Sequence, residues 1–304
     1  MRAIRRPTSK TEALSAFPIE WIEGQIFDPE TVSKALTYPV EYVFHLAAAY
    51  RNYCPYEEHY QVHVQSTQLL AQKASLIPTF KRFILVSTVG VHGDVKKPPA
   101  DETSPFFPDD FYQQTKVEAE RWLCSFAEST PSFSYTIIRP TAIFGPGDKR
   151  LLKLFKLASR KFMLLPGFRN THYHLIYVED LTELILLAAI HPKAHAEAFI
   201  CGNSESLSLE SLMKIIAKSL GNELRILRVP AWPLFLLALL VEAVCKPFKI
   251  SPFLYRRRVA FFTKNRSFDT QKCRSVLGYQ FKFTNHSGIQ QTVEWYRAQN
   301  WLSS

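Results

Sequence analysis

The stretch Phe83-Ile84-Leu85-Val86-Ser87-Thr88 is four apolar residues closed by two hydroxyls. A continuous apolar run of this length suits a strand covered on both faces, as in a parallel sheet. Comparable runs lie at Arg2–Arg6, Ile19–Ile26, Tyr42–Ala47 and Tyr135–Arg139, bounded by Pro, Gly, Asp or Ser. Between them, Pro29–Ala35, Glu57–Ala74 and Phe111–Phe126 carry helical periodicity. Strands that alternate with helices predict βαβ units with right-handed crossovers, and so an α/β chain with a doubly wound parallel sheet. The second half is more mixed. Asp180–Ile190, Leu207–Leu220 and His286–Arg297 read as amphipathic helices. The turn chemistry of GPGD, Gly145–Asp148, suggests a soft boundary between residues 1–147 and 148–304.

Ligands of doubly wound sheets bind at the carboxyl ends of strands, which is where Ser87 and Thr88 fall. The chain returns 24 residues after Thr88 with Tyr112-Gln113-Gln114-Thr115-Lys116, a YxxxK at the start of a helical pattern. An i,i+4 pair shares one helix face. The Lys116 ammonium can therefore favour the Tyr112 phenolate and let it exchange a proton with a substrate hydroxyl or carbonyl near neutral pH. YxxxK alone is common in helices, where it is an exposed aromatic–cation pair. The strand-end hydroxyls give it weight, although such hydroxyls also serve to satisfy backbone groups.

Composition bounds the rest. The chain has 304 residues, 47% of them hydrophobic and 21% charged, enough for a sizeable core without a disulfide or metal staple. Its five cysteines, Cys54, Cys124, Cys201, Cys245 and Cys273, are scattered, with no metal-ligand spacing. They read as free thiols of a reducing compartment. MRAIRRPTSK is followed by no apolar signal segment, so the expected location is cytoplasmic. The net charge of +10 favours anionic partners, but no basic helical stripe interleaved with aromatics appears, and nucleic acid is not expected. Trp232–Val244, WPLFLLALLVEAV, is apolar except for Glu242. It is shorter than the roughly 20 residues of a membrane span. It reads either as a buried, pocket-covering helix or as an interfacial membrane patch, with Lys246, Lys249 and Arg256–Arg258 as a basic flank.

The motifs VFHLAAAY (Val43–Tyr50), FILVSTVGVHG (Phe83–Gly93), YQQTK (Tyr112–Lys116), IIRPTAIFGPGD (Ile137–Asp148) and YVEDLTELILLA (Tyr177–Ala188) occur in the order of extended short-chain dehydrogenase/reductases. NRSFDTQKCRSVLGYQF (Asn265–Phe281) and TVEWYR (Thr292–Arg297) also resemble that family, so the likeness spans essentially the whole chain. It is nearest to the branch of 3β-hydroxysteroid dehydrogenases, dihydroflavonol-reductase-like enzymes and hopanoid-associated sugar epimerases. The resemblance implies a Rossmann-like nucleotide domain and a smaller C-terminal α/β substrate-binding portion. It implies Tyr112 as general acid/base, Lys116 as its partner, and Thr88 as the catalytic hydroxyl with Ser87 as its neighbour. On the cofactor side it implies Gln25, Ile26, Ala47, Ala48, His63, Val86, Pro140 and Thr141, together with Tyr112 and Lys116. Sugar epimerases commonly carry Asn where Ala142 stands.

The likeness fails at the start. The family opens with a strand, a GxxGxxG turn and a helix, whereas RAIRRPTS resembles the family's second strand. Residues 1–40 hold one glycine, Gly24, so the turn that seats the pyrophosphate has no counterpart there. Gln25 stands for the family's adenine-contacting Asp, and His63 and Ser66 for the Asn and Gly of its NvxGT motif. Two accounts fit: a truncated gene model, favoured by the intact YxxxK and Thr88, or a chain that has lost cofactor binding. The second strand ends in Arg5-Arg6 with no carboxylate before Glu12, which favours NADP(H) over NAD(H), with Arg6 as the contact to a 2′-phosphate and Arg5 as second choice. The expected activity is NAD(P)-dependent oxidation or reduction of a secondary alcohol or ketone in a hydrophobic, sterol-like or flavonoid-like small molecule. A sugar epimerase or dehydratase is the alternative enzyme, and a non-catalytic homologue the alternative of another class. Homodimer formation and peripheral membrane contact through Trp232–Val244 are open to this reading.

Overall fold

A computed structural model describes residues 1–37, 39–49, 54–245 and 256–302. Tyr50, Lys246 and Lys249 lie outside them. The first half alternates as expected. It runs β1 (Arg2–Arg5), β2 (Glu20–Glu23), α1 (Pro29–Ala35), β3 (Tyr42–His45), α2 (Tyr56–Tyr60), α3 (Ser66–Ala74), β4 (Arg82–Val86), α4 (Phe111–Ser129) and β5 (Tyr135–Pro140). Local chemistry sets these bounds. Asp28 caps α1 by accepting from the Thr31 amide, with Pro29 at the first helical position. Asp110 caps α4 by accepting from the Gln113 amide at 2.9 Å. The single expected helix Glu57–Ala74 is interrupted by a π-helical turn, Gln61–Gln65, between α2 and α3.

The second half follows with β6 (Ala142–Phe144), α5 (Leu152–Ala158), β7 (Phe162–Pro166), β8 (His172–Tyr173), β9 (Leu175–Tyr177) and α6 (Val178–Ile190). Next come β10 (Glu197–Cys201), β11 (Leu207–Ser208), α7 (Leu209–Ser219) and β12 (Arg225–Val229). The chain closes with α8 (Trp232–Cys245), α9 (Arg256–Thr263), α10 (Gln271–Leu277) and α11 (Asn285–Ala298). The expected helix Leu207–Leu220 gives its first two residues to β11, because Ser208 is extended and caps α7.

The principal sheet has the order β10-β5-β4-β3, with every pair parallel. β5 is buried along its whole length, and β4 from Arg82 to Leu85, as the continuous apolar runs predict. One face of this sheet packs on α6 and α10, joining Ile84, Ile138 and Phe199 to Leu184, Cys273 and Leu277. The other packs on α3 and α4, through Val43, Phe83, Leu85 and Ile137 against Leu70, Ala119 and Leu123. Chain from beyond residue 147 therefore returns to the first sheet. Asp180 of α6 holds that return in place by accepting from the Tyr279 hydroxyl at 2.8 Å and the Lys282 amide at 2.9 Å. Arg82 donates to the Ala188 and His191 carbonyls, satisfying the C-terminal end of α6. A separate core joins α5, α7 and α11 around Phe155, Leu212 and Tyr296.

Among the described residues the first two strands form a sheet of their own, as do the pairs β6-β9, β7-β12 and β8-β11. β1 pairs with β2 in parallel, and among the described residues neither is laddered to β3. The pair is fixed instead to α1: Arg2 donates to the Ala35 carbonyl and bonds Glu20. Gly24, just past β2, is required by contact, since a Cβ there would lie 2.1 Å from the Thr31 hydroxyl. Gly24 thus serves helix packing.

The buried-helix reading of Trp232–Val244 is corrected. In α8 only Ala238 is buried, and Trp232, Leu240 and Val244 are 66%, 61% and 64% exposed. Apolar residues surround nearly the whole helix, and one side rests on the protein while the rest faces outward. Among the described residues no helix is long and apolar enough to cross a membrane.

Candidate active site

Strands β3, β4 and β5 end side by side, and their carboxyl ends carry Ala47 and Ala48, Ser87 and Thr88, and the Pro140-Thr141 step. Helix α4 lies against this edge. Lys116 is buried, and its Nζ donates to the Val86 carbonyl at 2.9 Å. Burial lowers its pKa from 10.5 to about 8, against the opposing pull of Glu120. Tyr112 stands one turn earlier and is half-buried. Its ring stands edge-on to those of His63 and His59, with ring centres 5.2 Å and 6.1 Å away.

His63 lies in the π-turn and ties three elements together. Its Nε2 accepts from the Ala49 amide at 3.1 Å, and its Nδ1 lies 2.8 Å from the Thr115 hydroxyl. Thr115 donates to the Phe111 carbonyl, so Nδ1–H is the donor to Thr115 and the ring is neutral. Burial, with the charge of Lys116 beside it, pushes the His63 pKa down to about 2. His45 is likewise neutral, its pKa pushed down by burial to about 3, and its Nε2 bonds Ser66 at 2.8 Å. Ser66 in turn donates to the Val62 carbonyl. The two residues that depart from the NvxGT pattern, His63 and Ser66, thus each anchor a buried hydrogen-bonded group, His63 with Ala49 and Thr115 and Ser66 with His45 and Val62.

Thr88 caps a single 3₁₀ turn, Val89–His92, accepting from the Gly90 amide at 3.0 Å. Its side chain is half-buried at the loop that meets the start of α4. The Ser87 and Thr141 hydroxyl oxygens are buried, with no hydrogen-bond partner among the described residues. Unpaired buried hydroxyls at strand ends cost free energy unless a ligand or water completes them. Behind the site, Arg139 of β5 forms a buried pair with Glu120 of α4 at 2.6 Å and lies over the Phe106 ring at 4.9 Å. That pair welds the helix to the strand.

The remaining expected residues are scattered around this edge. Ala47 is half-buried and Ala48 exposed. Gln25 is exposed and Ile26 packs on the core shared by α1 and α3. Arg5 is engaged by Thr11 at 3.0 Å, by Glu23 at 3.5 Å and by the Trp21 ring, while Arg6 is exposed at the end of β1. These residues suit one side of a dinucleotide and not the other. Small Ala47 and Ala48, the open hydroxyls of Ser87 and Thr141, and Lys116 suit the nicotinamide side. The pyrophosphate side does not fit, because the only glycine of residues 1–40 is filled against Thr31. Sequence reading passed over Thr115 and His45. The first stands three residues after Tyr112 and so on its side of α4, and the second stands two before Ala47; helix and strand spacing could have found both.

The sequence profile of the NAD dependent epimerase/dehydratase family matches residues 1–202, and the chain belongs to this family of short-chain dehydrogenase/reductase enzymes. A 3β-hydroxysteroid-dehydrogenase/decarboxylase of Arabidopsis thaliana, isoform 1, is 29% identical over 304 residues, covering 93% of this chain and 68% of that protein. The chain spans 53% of isoform 2 from the same plant. An N-acetyl-α-D-glucosaminyl-diphospho-ditrans,octacis-undecaprenol 4-epimerase of Escherichia coli O157:H7 is 28% identical, covering 90% of this chain and 82% of that one. In structure the chain is similar to a UDP-glucose 4-epimerase of Thermotoga maritima, with a TM-score of 0.76 at 22% identity, over 98% of this chain and 91% of the other. This likeness establishes the Rossmann-like α/β fold.

Proposed function

We propose that the protein is an NAD(P)-dependent oxidoreductase of a secondary alcohol or ketone in a hydrophobic small molecule. The observation that carries this reading is the anchoring of Lys116 on the Val86 carbonyl, which holds its charge on the Tyr112 face of α4. Tyr112 transfers the proton to or from the substrate oxygen. Thr88, with Ser87 beside it, hydrogen-bonds the same oxygen and aligns it with the phenol. Lys116 lowers the cost of the phenolate. The neutral His63 fixes the ring of Tyr112 without competing for the proton. A nicotinamide held on that side would supply the hydride chemistry at the carbon that bears that oxygen. Ala47, Ala48, Val86, Pro140 and Thr141 line its side of the site, and Arg6 favours a 2′-phosphate. Residues 1–147 form the nucleotide half and 148–304 mainly the substrate half.

A sterol-like substrate is supported by the Arabidopsis relatives and by the exposed apolar helix α8, which also suits contact with a membrane surface. The Escherichia coli relative favours sugar epimerisation as the second reading, and Ala142 weighs against it. Product analysis with substrate deuterated at the carbinol carbon separates the two: net oxidation with deuteride on the nicotinamide supports the first, and inversion with retained label the second. In a form of the chain that turns over, Tyr112→Phe should lower kcat by about 10²–10⁴-fold, as the loss of an acid–base group does. Turnover near the unmodified level would refute the role of Tyr112.

A further inference from the structure

The ribbon formed by β7 and β12 is apolar on both faces. In its parallel register Phe162 stands opposite Arg225, Met163 opposite Ile226 and Leu164 opposite Leu227. Successive side chains of a strand alternate between faces, so each such pair shares one face. Met163 and Leu165 are buried in the core of α5, α7 and α11, and Ile226 packs against them. On the opposite face Phe162, Leu164 and Leu227 are 66%, 61% and 64% exposed. A parallel sheet normally has both faces covered, and exposed apolar side chains that cluster mark an interaction surface.

The apolar face continues past the ribbon. Phe168, two residues after β7, is exposed, and β12 leads within three residues to Trp232 at the start of α8. Helix α9 touches both β7 and α8, so the ribbon and the bare helix flank one element.

Charge frames this face. Arg160 and Lys161, both exposed, directly precede Phe162, and the Arg225 guanidinium lies over the Phe162 ring at 5.9 Å. Arg169 is exposed just past the other end of β7. From Lys149 to Val178 the chain holds seven Lys or Arg and no Asp or Glu, so these cations have no carboxylate in their own segment. Glu223, two residues before Arg225, offsets one of them. An apolar face with a cationic rim complements an anionic lipid surface, where the rim meets headgroups and the face meets acyl chains. It does not complement itself. Both ends of the ribbon are basic, so two copies laid face to face would set cation against cation.

We infer that the outer face of the β7–β12 ribbon seats on an anionic lipid bilayer. Phe162, Leu164 and Leu227 enter the interface, and Arg160, Lys161 and Arg225 meet the headgroups. This seating extends the membrane contact proposed for α8 and is independent of the chemistry assigned to Tyr112.

Co-sedimentation of the 304-residue chain with sucrose-loaded vesicles provides the test. Vesicles of phosphatidylglycerol and phosphatidylcholine in equal parts should capture it at low salt, and phosphatidylcholine alone should do so about tenfold less well or worse. Leu164→Gln with Leu227→Gln should weaken capture about tenfold or more, as the loss of two apolar contacts does. Arg160→Ser with Lys161→Ser should weaken it about fivefold per charge at low salt, and much less at high salt. All four residues are exposed, so the circular dichroism of both variants should match that of the unmodified chain. Capture that survives Leu164→Gln with Leu227→Gln but is lost with Leu236→Lys and Leu240→Lys would assign the contact to α8 alone and overturn the role of the ribbon. Equal capture by neutral vesicles, or none by anionic ones, would also overturn it. Lipid-free self-association abolished by the leucine pair would give the face to a second copy instead.

Discussion

The Lys116 ammonium and the Val86 carbonyl, 2.9 Å apart, join the YxxxK helix to the strand whose next two residues are Ser87 and Thr88. The same bond buries a positive charge. The Lys116 pKa of about 8 lies below the ordinary 10.5 of an exposed lysine in the unfolded chain. Between these values the unfolded chain binds more protons, so this residue makes stability rise as pH climbs from about 8 to 10.5, and it disfavours folding below 8. Its assistance to Tyr112 has the opposite sense. The charge is present below about pH 8 and fades above it. In a form that turns over, kcat should fall on the alkaline side of 8, and Lys116→Met should lower it below that pH and remove the alkaline fall. A profile unchanged by Lys116→Met would contradict the pairing.

His63 holds the Ala49 amide and Thr115 at once. His63→Ala leaves a buried amide unpaired and should cost about 1–3 kcal/mol in urea unfolding. His63→Asn, which can reproduce part of the bonding, should cost less. Because burial keeps the folded ring neutral far below the 6.5 of an unfolded histidine, the stability lost in His63→Ala should grow from pH 5 to about 6.5 and level off above it. A difference that stays constant from pH 5 to 6.5 would show that the ring takes up a proton in the folded protein as readily as in the unfolded chain.

The Arg139–Glu120 pair is buried at both ends. Glu120→Ala strands the guanidinium and should destabilise by about 3–5 kcal/mol. Glu120→Gln retains an acceptor and should cost less. Thermal unfolding that places both variants within about 0.5 kcal/mol of wild type would refute a structural role for the pair.

Leu236 and Leu240 are exposed neighbours on α8. Replacing both with Lys should change stability by no more than about 0.5 kcal/mol each, as exposed sites do. If α8 rests on membranes, the wild-type chain should float with anionic liposomes at low salt, and the double variant should remain in solution. Equal flotation of the two would exclude α8 as the contact.

Arg5 is engaged by Glu23 and Trp21, which leaves Arg6 as the cation open to a 2′-phosphate. In a form that turns over, kcat/KM should favour NADPH over NADH, and Arg6→Ala should reduce that ratio by about tenfold, the scale of one charge-assisted contact. A wild-type preference for NADH would end this assignment.

Much of the parallel sheet was legible because β4 and β5 are apolar without interruption and their faces are covered. Spacing put Tyr112 and Lys116 on one side of α4, since they stand one helical turn apart, while the roles proposed for them came from the resemblance. The break between β1 and β3 was visible only as a likeness with its opening missing, because pairing depends on long-range partners that no local pattern records. The exposure of α8 was illegible for a similar reason: an all-round apolar helix looks the same whether it is buried or bare. The bond between His63 and Thr115 joins residues 52 apart, beyond the reach of periodicity.

The π-turn at Gln61–Gln65 sets the angular phase between α2 and α3. Each residue of an α-helix advances by about 100°. Deleting one residue within the turn, so that it closes as α-helix, would rotate α2 by that angle relative to α3. Tyr56, which bonds Glu118 at 2.7 Å, and His59, which faces Tyr112, would both swing off α4. The wall behind the phenol therefore tolerates substitution more readily than a change of length. Along this helix, a one-residue indel acts on the site at a distance, as a turn of a screw would.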